Sequence, residues 1–315
     1  MNRQLHLRQS AKHLSALSQH GEHLIVDWSS ACTLLRSELP PDNRIRLYRV
    51  EGEDQWNLCR AYNFAASRAA GSILLKLDAD CWLNPAINLE KLLEQSSIWF
   101  GDGSGGTAGQ WLMERDAFDT VGGFNERMLG WGFDDKDLRA RLVLQFGERV
   151  KTLPPGALNA IHHSDSLRAG CRLGQPSNSF ARNQSLAALR ASRLNNRLVA
   201  AECPWGRTSV STKYQLDSGQ PSDSVWRADV ATIPQLPPGV DRSLRQQRRR
   251  TFWNALLAIP DAALEHLPLK LLPPDCSGQW SVHWWHRLYW FTIRRLLMAP
   301  VVMLGYLKGS GRLFR

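Results

Sequence analysis

Ser72-Ile73-Leu74-Leu75-Lys76-Leu77, running straight into Asp78-Ala79-Asp80, is the stretch on which the fold turns. A short apolar run between a glycine and two aspartates reads as a buried strand. Upstream, Asp54 to Ala70 reads as a helix stopped by Gly71. Arg44 to Val50 reads as a strand that alternates imperfectly through Ile45, Leu47 and Val50. His23 to Val26 reads as a shorter strand ending in Asp27, followed by the polar turn Trp28-Ser29-Ser30. Leu5 to Gln19 has the apolar spacing of an amphipathic helix. Strands and helices alternating in this way predict an α/β fold. A parallel order would bring the strand C-termini to one edge, where open α/β sheets bind ligands.

Downstream lies a Gly-rich stretch, Gly101 to Gly106, then an expected strand from Thr107 to Met113 and a short helix from Arg115 to Val121. Gly122-Gly123-Phe124-Asn125-Glu126 and Gly130-Trp131-Gly132-Phe133-Asp134-Asp135-Lys136-Asp137 follow. Leu138 to Phe146 reads as a helix with Leu138, Leu142 and Phe146 on one face. The next landmark is Ile161-His162-His163-Ser164-Asp165. Beyond about Pro176 the chain changes character. Phe180 to Ala201 reads as helix, and Ser209 to Gly239, rich in Ser, Pro and Gly, reads as loop or linker. The expected organisation is an α/β domain over 1–175, helix and linker over 176–240, and a basic Trp-rich region over 241–315.

The 315 residues are 43% hydrophobic and 22% charged, which excludes a disordered chain, a collagen and a small disulfide scaffold. The net charge of +10 is uneven: Asp241 to Arg315 holds 12 Lys/Arg against 4 Asp/Glu and five of the 13 tryptophans. The six cysteines are scattered and form no C-x-x-C pair, so reduced, mostly buried thiols are expected rather than a zinc ribbon. The polar start shows no apolar signal segment. Leu288 to Leu307, the best candidate for a span, carries Arg294 and Arg295 at its middle. The expectation is a cytoplasmic protein, peripheral at the inner face of a membrane.

Two clusters carry chemistry. Asp78 and Asp80, two apart after a buried strand, would point the same way if the strand continued. Such a pair suits a divalent cation and a nucleotide diphosphate, although Asp-x-Asp is also ordinary turn composition. Asp134, Asp135 and Asp137 open a helix, where acids are favoured as caps and on the dipole. Three acids behind Gly-Trp-Gly exceed what capping needs. The glycines admit a ligand, the indole is a platform for a sugar ring, and a carboxylate there can accept a hydroxyl proton. His162 and His163 add an imidazole, a donor that with carboxylates suits Mn²⁺ better than Ca²⁺.

In its order of Asp78-Ala79-Asp80, Gly122 to Glu126, Gly130-Trp131-Gly132, Asp134-Asp135 and His163, the chain resembles the family 2 glycosyltransferases whose second half matches the galactosyltransferase C-terminal region. The resemblance covers about residues 1 to 170. It implies a GT-A fold, a Rossmann-like mixed sheet with flanking helices, and metal-dependent transfer from a nucleotide sugar. It further implies Mn²⁺ (or Mg²⁺) on Asp80 and His163, with Asp78 beside the ribose or the metal. Asp27, Arg60 and Asn63 would lie on the donor side. Trp131, Gly132 and Asp134 would meet the acceptor, and Asp135 would be the base, with Asp134 replacing the family's usual Glu. The family begins with a strand ahead of a Met-Asn-Arg-like turn. Met1-Asn2-Arg3 is the start here, so either that strand is missing or translation begins upstream.

The implied activity is transfer of a hexose or N-acetylhexosamine from a UDP-sugar to a saccharide hydroxyl with inversion, in surface polysaccharide or glycolipid synthesis. Two other classes compete: a nucleotidyltransferase, which has no use for Gly130-Trp131-Gly132, and a non-catalytic nucleotide-sugar-binding descendant. The tail, with Trp280, Trp284, Trp285 and Trp290 among Arg287, Arg294 and Arg295, fits adsorption to anionic membrane or a packed accessory domain with a basic face. Arg245 and Arg248-Arg249-Arg250 bring no nucleic-acid fold signature, so nucleic acid is not the expected partner.

Overall fold

Leu74 and Lys76, two apart on one side of a pleated strand, are both buried, and the strand stops at the lysine. The structure, a computed structural model, describes residues 3–54, 56–161, 192–193, 195–217, 225–240 and 242–246, with isolated positions 288, 292, 296, 299 and 300. In chain order the elements are α1 (Gln4–Ser15), β1 (His23–Trp28), β2 (Ile45–Glu51), α2 (Leu58–Arg68), β3 (Ile73–Lys76), β4 (Cys81–Leu83), α3 (Leu89–Gln95) and β5 (Ile98–Phe100). They continue with β6 (Trp111–Glu114), α4 (Arg115–Thr120), α5 (Asp134–Phe146), β7 (Val150–Thr152), β8 (Leu158–Ala160), β9 (Tyr214–Asp217) and β10 (Val225–Ala228).

The architecture is mixed α/β, and its sheets are mixed rather than wholly parallel. One sheet runs β1-β2-β10-β9, with β1, β2 and β10 parallel and β9 antiparallel to β10. A second runs β3-β6-β5-β7, with β6 antiparallel to both neighbours and β5 parallel to β7. β4 and β8 form an antiparallel pair. Residues 209–239, read from composition as loop, supply β9 and β10. Trp226 and Tyr214 from these strands pack against Trp28, Val50, Ala61 and Phe64, an aromatic core that the Ser/Pro/Gly composition conceals. Thr107 to Met113 divides into a 3₁₀ turn over Ser104–Gly109 and strand β6.

Contacts divide the described residues between two compact units. One is drawn from Met1–Arg127, Asp134–His163 and Trp205–Gln235, the other from Met128–Phe133, Ser164–Pro204 and Leu236–Arg315. In the first unit, Leu14, Leu83, Leu92, Trp99, Leu112 and Leu158 share one apolar cluster. In the second, Asn196 accepts from the Leu129 N–H and donates to the Gly132 carbonyl, and the Ser192 hydroxyl accepts from the Trp131 N–H, so the Gly-Trp-Gly loop is laced to helical residues.

Local chemistry sets the helix ends. Asn57 caps α2 by accepting from the Arg60 N–H at 3.0 Å. At its other end the Arg115 guanidinium donates to the carbonyls of Ala66, Ala69 and Gly71, taking up groups that the helix leaves unpaired. Asn63, on the buried face of α2, donates to the Phe124 carbonyl and Glu126 Oε1 and accepts from the Phe124 N–H at 2.8 Å. Glu126 Oε2 accepts in turn from the Thr212 N–H and hydroxyl. The Gly-Gly-Phe-Asn-Glu segment is therefore bolted to α2. Gly123 sits at φ +67°, and a Cβ there would lie 2.6 Å from Asn63 Oδ1, so a side chain is excluded twice over.

Replacing Asn63 by Ala leaves the Phe124 amide and one Glu126 oxygen buried without partners. The expected loss is about 3 kcal/mol of unfolding free energy, measured by urea denaturation. A loss below about 0.5 kcal/mol, the level of an ordinary surface substitution, would mean the network is not what holds this segment.

Candidate active site

The centre of the site is an ammonium. Lys76 lies at the C-terminal end of β3 with its side chain 1% exposed. Its Nζ donates to the Gly109 carbonyl at 2.6 Å and lies 3.1 Å from Asp78 Oδ1 and 3.4 Å from Asp135 Oδ1. The Tyr62 ring, 4.7 Å away, offers its face. Burial works against the charge, but Asp135 and Asp78 outweigh it and raise the lysine above its ordinary value.

Both carboxylate oxygens of Asp78 are engaged, although its side chain is 41% exposed. Oδ1 accepts from the Tyr62 hydroxyl at 2.8 Å, Oδ2 accepts from Gln110 Nε2 at 2.8 Å, and the Asp78 N–H donates back to Gln110 Oε1 at 2.7 Å. Burial would raise this carboxyl; the Lys76 charge and the Gln110 and Tyr62 hydrogen bonds prevail and keep it below the usual carboxylate range. Burial and the neighbouring Asp78 push the Tyr62 hydroxyl up, so it remains a donor. The strand does not continue to Asp80. The chain turns at residues 79–80 before β4, so the two carboxylates do not share a strand face. Asp80 is half-buried, and its Oδ1 accepts the Cys81 thiol at 3.5 Å.

The helix that Asp134 and Asp135 open begins at Asp134. Burial pushes Asp134 up, against the pull of Lys76. Burial also pushes Asp135 up, to about 7; Lys76 opposes the rise, and Asp134 and Asp78 add to it. The Asp135 side chain is 27% exposed, so it is sheltered yet reachable. Gly109 makes room for it: a Cβ there would run into Asp135 Oδ2 and come 2.9 Å from Cγ. Asp137 pairs with Arg141, which also donates to the Val121 and Gly123 carbonyls.

The remaining expected residues divide in two. Asp27 Oδ2 accepts from the Leu34 N–H at 3.0 Å and from Arg49 at 2.6 Å, which organises the loop after β1. Arg60 pairs with buried Glu53, and Asn63 is part of the Glu126 network. Trp131 and Gly132, both half-buried, belong to the second unit. His162 and His163 lie outside the described residues. So do the tail residues Trp280, Trp284, Trp285, Trp290, Arg287, Arg294 and Arg295.

Sequence reasoning passed over Lys76, Gln110, Tyr62 and Gly109. A signal existed for the lysine: it is the one charge in an apolar strand, in phase with buried Leu74, and lysine is almost never fully buried unless paired.

No group of three His, Cys, Asp or Glu suited to a metal occurs among the described residues. One observation bears on whether a cation fits. The Ile161 N–H donates to the Asp80 carbonyl at 2.8 Å, extending the β4–β8 pairing, so the chain that leads into His162-His163 passes directly beside Asp80. A carboxylate together with diphosphate oxygens is a donor set that a divalent ion accepts.

Residues 102–164 match the family model described as the N-terminal domain of galactosyltransferase. That segment includes Gly109, Gln110 and the acids of α5. It supports a glycosyltransferase of the galactosyltransferase type, acting on a nucleotide sugar. A search among curated proteins finds no match. Among solved structures, the catalytic domain of Drosophila β1,4-galactosyltransferase 7, in complex with xylobiose, is 15% identical, covering 77% of this chain and 93% of that chain with a TM-score of 0.40. A likeness that distant carries no weight for substrate or mechanism. No helix among the described residues is long and apolar enough to cross a membrane.

An acid held above its unfolded value keeps its proton longer in the folded chain. Its contribution to stability is therefore present at low pH and fades as pH rises from 3.8 to about 7. Asp134, Glu53 and Asp137, all raised chiefly by burial, act in the same direction. Asp135→Asn should flatten the fall in unfolding free energy between about pH 4 and about pH 8, read from urea midpoints. A pH dependence identical to that of the parent would contradict the placement of Asp135.

Proposed function

We propose that this chain is a GT-A glycosyltransferase that moves a hexose or N-acetylhexosamine from a UDP-sugar to a saccharide hydroxyl with inversion, in the synthesis of a surface polysaccharide or glycolipid. The observation that carries this reading is the convergence of Asp78, just after β3, and Asp135, at the start of α5, on the single ammonium of Lys76. A carboxylate expected on the donor side and the carboxylate proposed as base thus meet one charge from distant parts of the chain. A nucleotidyltransferase would have no use for Gly130-Trp131-Gly132 ahead of the acids of α5.

On this reading the donor diphosphate lies against Asp78 and Asp80. Asp27, Arg60 and Asn63 shape that side through their loop and core contacts. Asp80 and His163 would hold Mn²⁺ (or Mg²⁺), which supplies positive charge against the departing diphosphate. Asp134 meets the acceptor sugar. Asp135 takes the proton of the acceptor hydroxyl as that oxygen bonds to the anomeric carbon and the bond to the diphosphate breaks. A carboxylate poised near neutrality suits a general base working there, because its two protonation states are close in energy.

Transfer is tested by screening UDP-sugars with Mn²⁺ for hydrolysis and for sugar transfer. Asp135→Asn should lower transfer by about 10² to 10⁴ while UDP still binds, and Asp80→Asn should abolish Mn²⁺-dependent UDP binding. Near-normal transfer by the first variant, or unaltered binding by the second, would remove the assignments. The basic, Trp-rich segment from Asp241 onward is proposed to adsorb to anionic membrane where acceptors are presented, at roughly 1 kcal/mol per basic residue near the surface. Full-length protein should sediment with anionic vesicles and be released by salt. No binding at low salt would exclude this role.

A further inference from the structure

The β3 strand has no structural need for a charge at position 76, where a leucine like Leu74 would fill the same buried face. Instead an ammonium with three N–H donors stands among three acceptors: the Gly109 carbonyl at 2.6 Å, Asp78 Oδ1 at 3.1 Å and Asp135 Oδ1 at 3.4 Å. These come from three different stretches of chain. Only Oδ1 of Asp135 is engaged by the lysine, and the carboxylate remains partly exposed.

We infer that Lys76 is a positioning residue, one that orients the Asp135 carboxylate, keeps it in its proton-accepting form and ties it to the donor-side Asp78. The inference rests on the proposed role of Asp135 as base. The groups facing Asp135 are Lys76 at the end of β3, Asp78 just after it, Asp134 beside it on α5, and the Tyr62 hydroxyl and Cys59 thiol of α2. Of these, Lys76 alone is positive. Asp78 and Asp134 repel a further negative charge. Tyr62 and Cys59 are pushed up by burial and stay neutral. Without the lysine, a sheltered Asp135 next to two other acids would hold its proton through the neutral range and could not act as a base.

The direct test needs no substrate. In full-length protein carrying carboxyl-¹³C aspartate, the Asp135 resonance is identified by its absence from Asp135→Asn, and its titration is compared in the parent and in Lys76→Met. Removing an opposite charge at this separation should raise the Asp135 midpoint by about 1 to 3 pH units. An unchanged or lowered midpoint overturns the inference. If Lys76→Met does not fold, the Lys76 ¹⁵Nζ resonance is followed in the parent and in Asp135→Asn. A step at the Asp135 midpoint, absent from the variant, supports the inference, and a flat trace in the parent overturns it. Because both readouts are spectroscopic, failure to find sugar transfer would count against the proposed function and leave this result standing. Once transfer is measurable, the acid limb of kcat/KM in Lys76→Met should move upward with partial recovery at higher pH. A uniform loss at every pH would mean that the lysine merely props the strand.

Discussion

A buried ammonium is the constraint around which the first unit is arranged. An unpaired charge in the interior is so costly that a lysine ordinarily gives up its proton there. Lys76 keeps its proton because two carboxylates and a carbonyl meet it, and each of those must be held in turn. Gln110 and Tyr62 fix Asp78, and Gly109 leaves room for Asp135. The end of β3, the residues leading into β6 and the first turn of α5 are thus bound by one charge. Pairs of this kind seldom add net stability, since desolvation offsets attraction. Their yield is position.

The same cluster sets stability against function. Asp134 and Asp135 are both pushed above their ordinary range, chiefly by burial, so the folded protein bears a cost whenever both are ionised. Just before them Phe133 has φ +75°, a left-handed conformation that side chains other than glycine adopt at a penalty of roughly 1–3 kcal/mol. Elsewhere the chain is conventional. Buried leucines and aromatics form the cores, and the described cysteines 32, 59, 81 and 203 are free thiols, three of them buried.

Much of this was legible in the sequence, for physical reasons. β1, β2 and β3 follow from their apolar runs, α2 from the stretch stopped by Gly71, although it starts at Leu58 behind the Asn57 cap rather than at Asp54, and α5 from its acidic start and the Leu138–Leu142 spacing. What was not legible depends on long-range partners. Strands β9 and β10 are short and lie in polar sequence, and they exist because β2 offers an edge and Phe64 a surface. Mixed strand direction cannot be read from periodicity, which is the same in both senses. Asp78 and Asp80 looked like one face because the turn at residues 79–80 leaves no mark on a pattern of period two. Lys76 was visible as an anomaly, but its partner Asp135 lies far along the chain and only folding brings them together. The burial of Asn63 among Phe124 and Glu126 likewise depends on partners far along the chain.

The measurement that bears most directly on this account is a crystal structure of the protein with a UDP-sugar and Mn²⁺. The account predicts the diphosphate against Asp80, with the metal, and the sugar's anomeric carbon facing the Asp135 carboxylate, whose other oxygen remains on Lys76. A nucleotide bound elsewhere, or a sugar turned away from Asp135 with Lys76 released from it, would contradict the account.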